Sequence, residues 1–417
     1  MGGGLLQLVA YGAQDAYISG NPQITFWKGL FKRHTNFAME PFRINFSGQI
    51  AWGTKQTALV GRHADLLYST YVEVCLPKSG FTWNNTNQAL GFHLIRYAEI
   101  DVGGQVIDRL YGEYMFLWSR LSLPDGPRAS LTTMLCDDQA DGPVTLRHQQ
   151  ICTGEGRKAK MNVFYIPLPF FFTRNPGAAL PLIALQYHEV KINVHWNDPE
   201  FITGNVNNTN VPSAIQAALY IDYIYLDTEE RRRMAQASHE YLIEQTQYNE
   251  DKGIRGASNR IDLTFNHPVK ELLWVVQQSF KTDCRKAIAN GQPNLKQFDY
   301  SVDPVFDQWI QINGQDRLDK RYGSYFSAVQ AFQHHSGVSP GKGAYSYSFA
   351  IRPEEHQPSG TCNFSRIDTA TIVINMSGDY NVGPQEDDSG DWDVRVYATN
   401  YNVLRVMSGM GGLAYSN

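Results

Sequence analysis

Gly104-Gln105, followed by a short charged cluster and Tyr111-Gly112-Glu113-Tyr114, returns 210 to 211 positions later as Gly314-Gln315 and Tyr322-Gly323-Ser324-Tyr325. Working outward, Asp65-Leu66-Leu67-Tyr68 returns after 206 positions as Glu271-Leu272-Leu273-Trp274. Glu189-Val190-Lys191-Ile192 returns after 204 as Asp393-Val394-Arg395-Val396. Three landmarks in one order at nearly one offset predict two copies of a single domain. A chain of 417 residues is long for one core and suits two domains of that size.

The strands announce themselves by period-2 alternation. In His188-Glu189-Val190-Lys191-Ile192-Asn193-Val194-His195-Trp196 every second residue is apolar. Trp392, Val394 and Val396 alternate with Asp393, Arg395 and Tyr397 in the same way. Ile261-Asp262-Leu263-Thr264-Phe265 and Thr371-Ile372-Val373-Ile374-Asn375-Met376 add two more. Each is expected to lay one face on a core and leave the other wet. Aromatic residues at 12%, with 23 Tyr, fit such half-buried pleated surfaces. Helical periodicity is sparse. One helix is expected from Thr228 to about Ala237, capped by Asp227 with Glu230 in the first turn, and short helices after Tyr111 and Tyr322. The expected fold is all-β, two tandem eight-stranded jelly-roll β-sandwiches with short helices in the connections. Its expected division is an N-terminal arm at 1–24, jelly roll 1 at 25–226, a linker helix at 227–238 and jelly roll 2 at 239–417. Long non-periodic stretches at 121–160, 198–213, 281–304 and 377–391 are expected to be loops that carry contacts, with the Asn-rich run 205–210 at a tip.

Bulk composition narrows the function. A hydrophobic share of 42% describes a globular protein, and a charged share of only 18% leaves surface for neutral contacts within an assembly. A net charge of -5 gives no basic face for direct nucleic-acid binding. Cys75, Cys136, Cys152, Cys284 and Cys362 are scattered and never spaced Cys-x-x-Cys, so reduced thiols are expected rather than a disulfide frame or zinc site. Asn-x-Ser/Thr triplets at Asn45, Asn84, Asn207, Asn363 and Asn375 carry little weight without a secretory signal. No run reaches the roughly 18 apolar residues of a membrane span. The opening Met1-Gly2-Gly3-Gly4-Leu5-Leu6 has Leu where a myristoylation signal wants Ser or Thr.

Catalytic constellations do not assemble from the sequence. Gly409-Met410-Gly411-Gly412 and Gly341-Lys342-Gly343 lack phosphate-loop spacing and read as tight turns. His334-His335, adjacent, and His188 with His195, an odd number apart, face opposite ways in an extended chain and make poor metal pairs. Arg231-Arg232-Arg233 follows Glu229-Glu230 and reads as a solvated or carboxylate-paired helix. Glu386-Asp387-Asp388 with Asp391 lacks the calcium-loop pattern. Carboxylates paired in space for sugar hydrolysis are invisible in one dimension. A carbohydrate-active enzyme or a glycan-binding protein on a double jelly-roll scaffold therefore stays open as an alternative at this point.

Several stretches also resemble a known family. Leu8-Val9-Ala10-Tyr11-Gly12-Ala13-Gln14-Asp15, Gly20-Asn21-Pro22-Gln23-Ile24-Thr25-Phe26 and Arg33-His34-Thr35-Asn36-Phe37-Ala38 resemble the amino terminus of major capsid proteins of nucleocytoplasmic large DNA viruses, of the algal-virus and iridovirus type. Residues 179–190 are similar to the end of that family's first domain, and 239–245 to the entry of its second. Gln357-Pro358-Ser359-Gly360-Thr361-Cys362-Asn363-Phe364-Ser365-Arg366-Ile367-Asp368 and the terminal 400–415 are close to its signatures. Residues 78–92, 121–160 and 281–304 match poorly.

The resemblance implies a double jelly roll that forms a homotrimer. This trimeric, pseudo-hexagonal capsomer tiles the icosahedral shell of a large double-stranded DNA virus. It implies neighbouring capsomers and minor capsid proteins beneath the shell as partners, and no direct nucleic acid. An internal viral membrane lies nearby, without a span in this chain. The protein is expected in the virion, assembled in the host cytoplasm. The resemblance brings no catalytic, cofactor-binding or metal-ligating residues, so none is assigned and no enzyme activity is expected.

Overall fold

The structure, a computed structural model, describes residues 2–77, 89–135, 149–150, 161–203, 215–283, 286, 298–378 and 391–415. Two units separate at Asn36 and Phe37. The first holds two short helices, Gly3–Val9 and Asp15–Ser19. The second, 37–417, carries all the strands described below.

Its first half contains β1 (Phe37–Asn45), β2 (Lys55–Leu59), β3 (Leu66–Pro77), β4 (Ile95–Val102), β5 (Gln105–Tyr111), β6 (Gln149–Gln150), β7 (Met161–Pro167), β8 (Leu180–Pro181), β9 (Val190–Trp196) and β10 (Gln216–Leu226). The second half contains β11 (His239–Ile254), β12 (Ser258–Asp262), β13 (Pro268–Gln278), β14 (Val305–Ile312), β15 (Gln315–Asp316), β16 (Arg321–Tyr322), β17 (Ala344–Ser348), β18 (Cys362–Asn363), β19 (Ala370–Met376), β20 (Trp392–Met407) and β21 (Met410–Leu413).

The two halves share one topology. In the first, sheet β1-β10-β3-β7 faces sheet β2-β9-β4-β5. In the second, β11-β20-β13-β17 faces β12-β19-β14-β15. Each sheet joins early and late strands of its half, which is the jelly-roll plan, and closing two sheets on one core hides their apolar faces. Core residues alternate as expected: Val190, Ile192, Val194 and Trp196 of β9 are buried in the first core, Ile372, Ile374 and Met376 of β19 in the second.

Two of the three landmarks mark equivalent places. The Asp65 and Glu271 blocks fall on β3 and β13, the third strands of their halves. The Gly-Gln pairs close the β4–β5 and β14–β15 hairpins. Gly103 and Gly104 there have φ of +63° and +89°, and Asn313 and Gly314 have +50° and +76°. Two successive positive φ values are what a two-residue turn between right-twisted strands demands. The Tyr-Gly-x-Tyr motif opens a helix in both halves, Gly112–Ser122 and then Tyr325–Val329 running into Gln330–His334. Its glycine has a steric reason. A Cβ at Gly112 would strike the carbonyl oxygen of Ile95, and one at Gly323 would lie 2.7 Å from that of Val305. Ile95 and Val305 each begin the fourth strand of their half.

The third landmark is a correction. Val190 begins β9, which pairs with β2 and β4, whereas Asp393 lies on β20, which pairs with β11 and β13. The structural partner of β20 is β10. Alternating β-branched residues with interspersed charges recur on many half-polar strands, so this match was generic rather than homologous in position.

Other expectations resolve locally. The linker helix spans Thr228–Gln236 with Asp227 at its N-cap, but the Asp227 side chain makes no capping bond. The stretch 121–160 is helical over Asp125–Met134, and 198–213 includes a helical turn at Glu200–Thr203. The Asn-rich run 205–210, Cys136, Cys152, Cys284, Asn84, Asn207 and Glu386-Asp387-Asp388 lie outside the described residues. Among the described residues no helix is long and apolar enough to cross a membrane.

Candidate functional site

The face of β20 expected to be wet is buried. Trp392, Val394, Val396 and Ala398 fill the second core. Asp393, Arg395, Tyr397 and Thr399 on the opposite face are also buried, Arg395 being only 7% exposed. They meet the first jelly roll, whose helix Gly112–Ser122 lies against this sheet. The candidate site is therefore a polar seam between the chain's own two halves.

Glu113, in the first turn of that helix, forms the centre. A carboxylate there is favoured by the positive end of the helix dipole. Arg395 grips it with two bonds, Nε to Oε2 at 2.6 Å and a terminal nitrogen to Oε1 at 2.7 Å. Tyr397 donates to Oε2 at 2.6 Å and Tyr300 to Oε1 at 2.7 Å. Gln277 accepts a further Arg395 bond at 2.7 Å. Burial alone would raise the Glu113 pKa, but the facing Arg395 charge and these donors outweigh it and hold the group below its ordinary value. Burial, and next the Glu113 charge, drive the Tyr397 and Tyr300 hydroxyls well above theirs.

A second station lies beside it. Glu244 of β11 accepts from Arg174 of the first half at 2.8 Å and from Lys270 of β13 at 2.7 Å. Burial is again overcome by the neighbouring cations, and the Glu244 pKa is lowered. Arg174 also donates to Tyr114 Oη at 3.3 Å, and Tyr114 meets the Thr399 hydroxyl at 3.1 Å. A third station is Asp108, which accepts the Thr246 backbone N–H at 2.9 Å. Burial pushes its carboxyl up to about 6, outweighing that bond, the nearby Arg174 charge and the Arg109 backbone N–H. Apolar contacts complete the seam: Tyr111 stacks on Tyr248 at 4.6 Å, and Phe298 lies between His93 and Phe116 at 3.8 and 4.9 Å. The C-terminal hairpin closes it, with Tyr187 N–H donating to Gly409 O at 2.9 Å and His188 Nδ1 2.9 Å from Gly411 O.

The residues weighed for chemistry fall elsewhere or serve structure. His195 stacks at a tilt on Tyr97, 4.9 Å away, apart from His188. His334 ends a helix rather than standing in extended chain. Its ring contacts Ile351 O, while His335 turns to Glu354. Arg231 pairs with the buried Asp65 at 2.9 Å and Arg232 with Glu229 at 3.0 Å. Asp391 is already neutralised by Arg255 and Lys286. Ser408 and Gly409, at φ +50° and +79°, form the tight turn between β20 and β21. Gly341, at φ +154°, sits in the turn before β17.

An aromatic cleft of about 510 Å³ does open on the seam, lined by Tyr111, Tyr248 and Phe298 with Glu113, Glu250 and Asp393. Three of its acids are occupied. Glu113 is held by Arg395, Glu250 pairs with Lys252 at 3.3 Å, and Asp393 accepts from Ser279 Oγ at 2.6 Å. None of these three is free to serve in an acid–base pair.

Two sandwiches of one topology, locked flank to flank by buried ion pairs, define a double jelly-roll protein, an architecture suited to rigid building blocks. This chain belongs to the family of large eukaryotic DNA virus major capsid proteins. Residues 230–412 match the family so described, and 25–227 match the major capsid protein N-terminus. The chain is 44% identical to the major capsid protein of Pyramimonas orientalis virus and 39% identical to that of Phaeocystis pouchetii virus, over the whole of each chain. It superposes on a chain of the PBCV-1 virus capsid with a TM-score of 0.77 and 34% identity, covering 94% of this chain and 100% of that one. It is a structural protein of the virion capsid shell.

Proposed function

We propose that three copies of this chain close into a pseudo-hexagonal capsomer that tiles the icosahedral shell of a large double-stranded DNA virus. One observation carries this reading: inside the chain, a helix of the first jelly roll docks on a sheet of the second, and both halves own both parts. A chain so built ends in one unused helix and one unused sheet of the same kind. Head-to-tail contacts of this type either close into a ring or run on as a filament, and six similar flanks close with three chains. The working division is an arm at 1–24, jelly rolls at 25–226 and 239–417 and a linker at 227–238, which the shared topology and the two family matches support.

Neighbouring capsomers, and minor capsid proteins beneath them, are the further partners of this reading, with assembly in the host cytoplasm near an internal viral membrane. The arm is assigned to such contacts, since its helix Gly3–Val9 buries none of its residues. Mass measurement in solution tests the ring. A species near three times 47.1 kDa is expected, and a stable monomer would overturn the proposal. Removing residues 2–24 should leave that mass unit intact while loosening shell order, and unchanged shells would remove the arm from the scheme.

A further inference from the structure

Within the chain the docking helix presents Glu113, Leu117 and Leu121 on one face, at i, i+4 and i+8. Leu117 and Leu121 are buried, sharing their surroundings with Leu273 and Ala344 of the second jelly roll. The 211-residue offset of the Tyr-Gly-x-Tyr motif places Ser324, Ala328 and Phe332 at the same positions of the second jelly roll's helix. There the face is open: Phe332 is 89% exposed and Val329 39%, and an exposed edge-on pair of Phe306 and Tyr322, centroids 5.4 Å apart, precedes the helix. A phenyl ring at the position where its counterpart is an interface anchor lacks its socket.

The counterpart of the receiving sheet is β1-β10-β3-β7. On β3, Val72 and Val74 point into the first core, so Tyr71 and Glu73 point outward. Tyr71 stacks flat on Tyr220 of β10, centroids 5.2 Å apart, with Asp222 two residues along. The charges are reversed relative to the seam inside the chain. There the helix brings an acid, Glu113, to a base on the sheet, Arg395. Here the sheet carries the acids Glu73 and Asp222 with Arg43 opposite Tyr220, and the exposed bases Lys320, 3.7 Å from Asp307, and Arg321 precede the helix.

We infer that the helix face bearing Phe332, with Lys320 and Arg321 just ahead of the helix, seats on the Tyr71, Glu73 and Asp222 face of a second copy of this chain. The inference rests on the ring reading and supplies its contact. Charge reversal also gives that contact its selectivity. A first-half helix brought to a first-half sheet would set Glu113 against acids, and a second-half helix brought to a second-half sheet would set bases against Arg395. Only alternation of halves is matched, which is how like-charge repulsion excludes wrong partners.

The test is the mass of the full chain in solution. Phe332→Asp, and separately Glu73→Lys with Asp222→Lys, are expected to weaken ring closure on the order of a hundredfold and leave folded monomers. Adding Lys320→Glu and Arg321→Glu to the sheet variant should restore the ring. Should a variant fail to fold, Tyr71→Cys with Phe332→Cys in one chain is expected to yield covalent rings on oxidation. Rings that survive the substitutions, or an intact ring that never cross-links, would overturn this contact and leave the ring standing. A monomeric wild type would remove both.

Discussion

Glu113 and Arg395 stand 282 positions apart in the chain and 2.6 Å apart in space, Arg395 buried and Glu113 largely so. Glu113 comes from a helix of the first jelly roll, Arg395 from a 16-residue strand of the second, and their paired hydrogen bonds fix the angle at which the halves meet. A bidentate guanidinium–carboxylate pair allows little rotation, so the seam is directional as well as cohesive. For a shell tile that direction matters, because any looseness between halves would be repeated at every copy.

Removing one member of this pair leaves the other buried without compensation. Arg395→Met is expected to destabilise the chain by about 3–5 kcal/mol, read as a fall in the denaturant midpoint. Arg395→Met with Glu113→Leu should recover much of that loss, since an apolar pair needs no desolvated partner. A double variant no better than the single would show that the pair is not the coupled unit described.

Asp108 sets a pH slope. Its folded pKa of about 6 lies above the unfolded 3.8, so the folded state holds the proton more firmly. That contribution is fully present below pH 4 and is lost as pH rises through 6. It amounts to about 3 kcal/mol. Glu113 and Glu244 run oppositely: their lowered values stabilise above the ordinary carboxylate range, and the gain is lost as pH falls through them. Urea unfolding of Asp108→Asn between pH 4 and 7.5 should lose the Asp108 slope alone. Profiles that stay parallel would contradict this assignment.

Gly112 and Gly323 are expected to be equally intolerant of a side chain. Gly112→Ala or Gly323→Ala forces a Cβ against the first carbonyl of β4 or β14. Each should cost roughly 1–3 kcal/mol, in the range of overpacked sites. Thermal unfolding checks it, with Gly126→Ala as the control, since a Cβ there meets nothing within 4 Å.

Asp65 ties the linker helix to the first jelly roll, accepting Leu226 N–H at 2.9 Å and Arg231 Nε at 2.9 Å. Asp65→Ala leaves a buried donor unmatched and should cost about 1–3 kcal/mol. Tryptic cleavage at Arg231, Arg232 or Arg233 should accelerate in the variant. Unchanged cleavage would mean the helix is held by other contacts.

Much of the architecture was legible because local sterics write it into short stretches. Period-2 alternation in β9 and β19, the Gly103-Gly104 and Asn313-Gly314 turns, and the glycine of Tyr-Gly-x-Tyr each satisfy a constraint within a few residues of chain. Duplication was legible because both halves answer the same constraints in the same order. The seam was not. Arg395 alternates with valines, and alternation says only that a face is not apolar; it is silent on whether that face meets water or another sandwich. The same silence made β9 and β20 look like copies, although they occupy different places in their sheets.

The sequence by itself thus determined the strand periodicity, the turns, the doubled plan and the family likeness, all of them consequences of short-range backbone and side-chain geometry. Only the tertiary structure decided which polar face is dry, that Glu113 is the partner of Arg395, and that Phe332 stands exposed. Those outcomes depend on how two folded surfaces meet, and desolvation and charge pairing across such a surface have no periodicity in the chain from which they could be read.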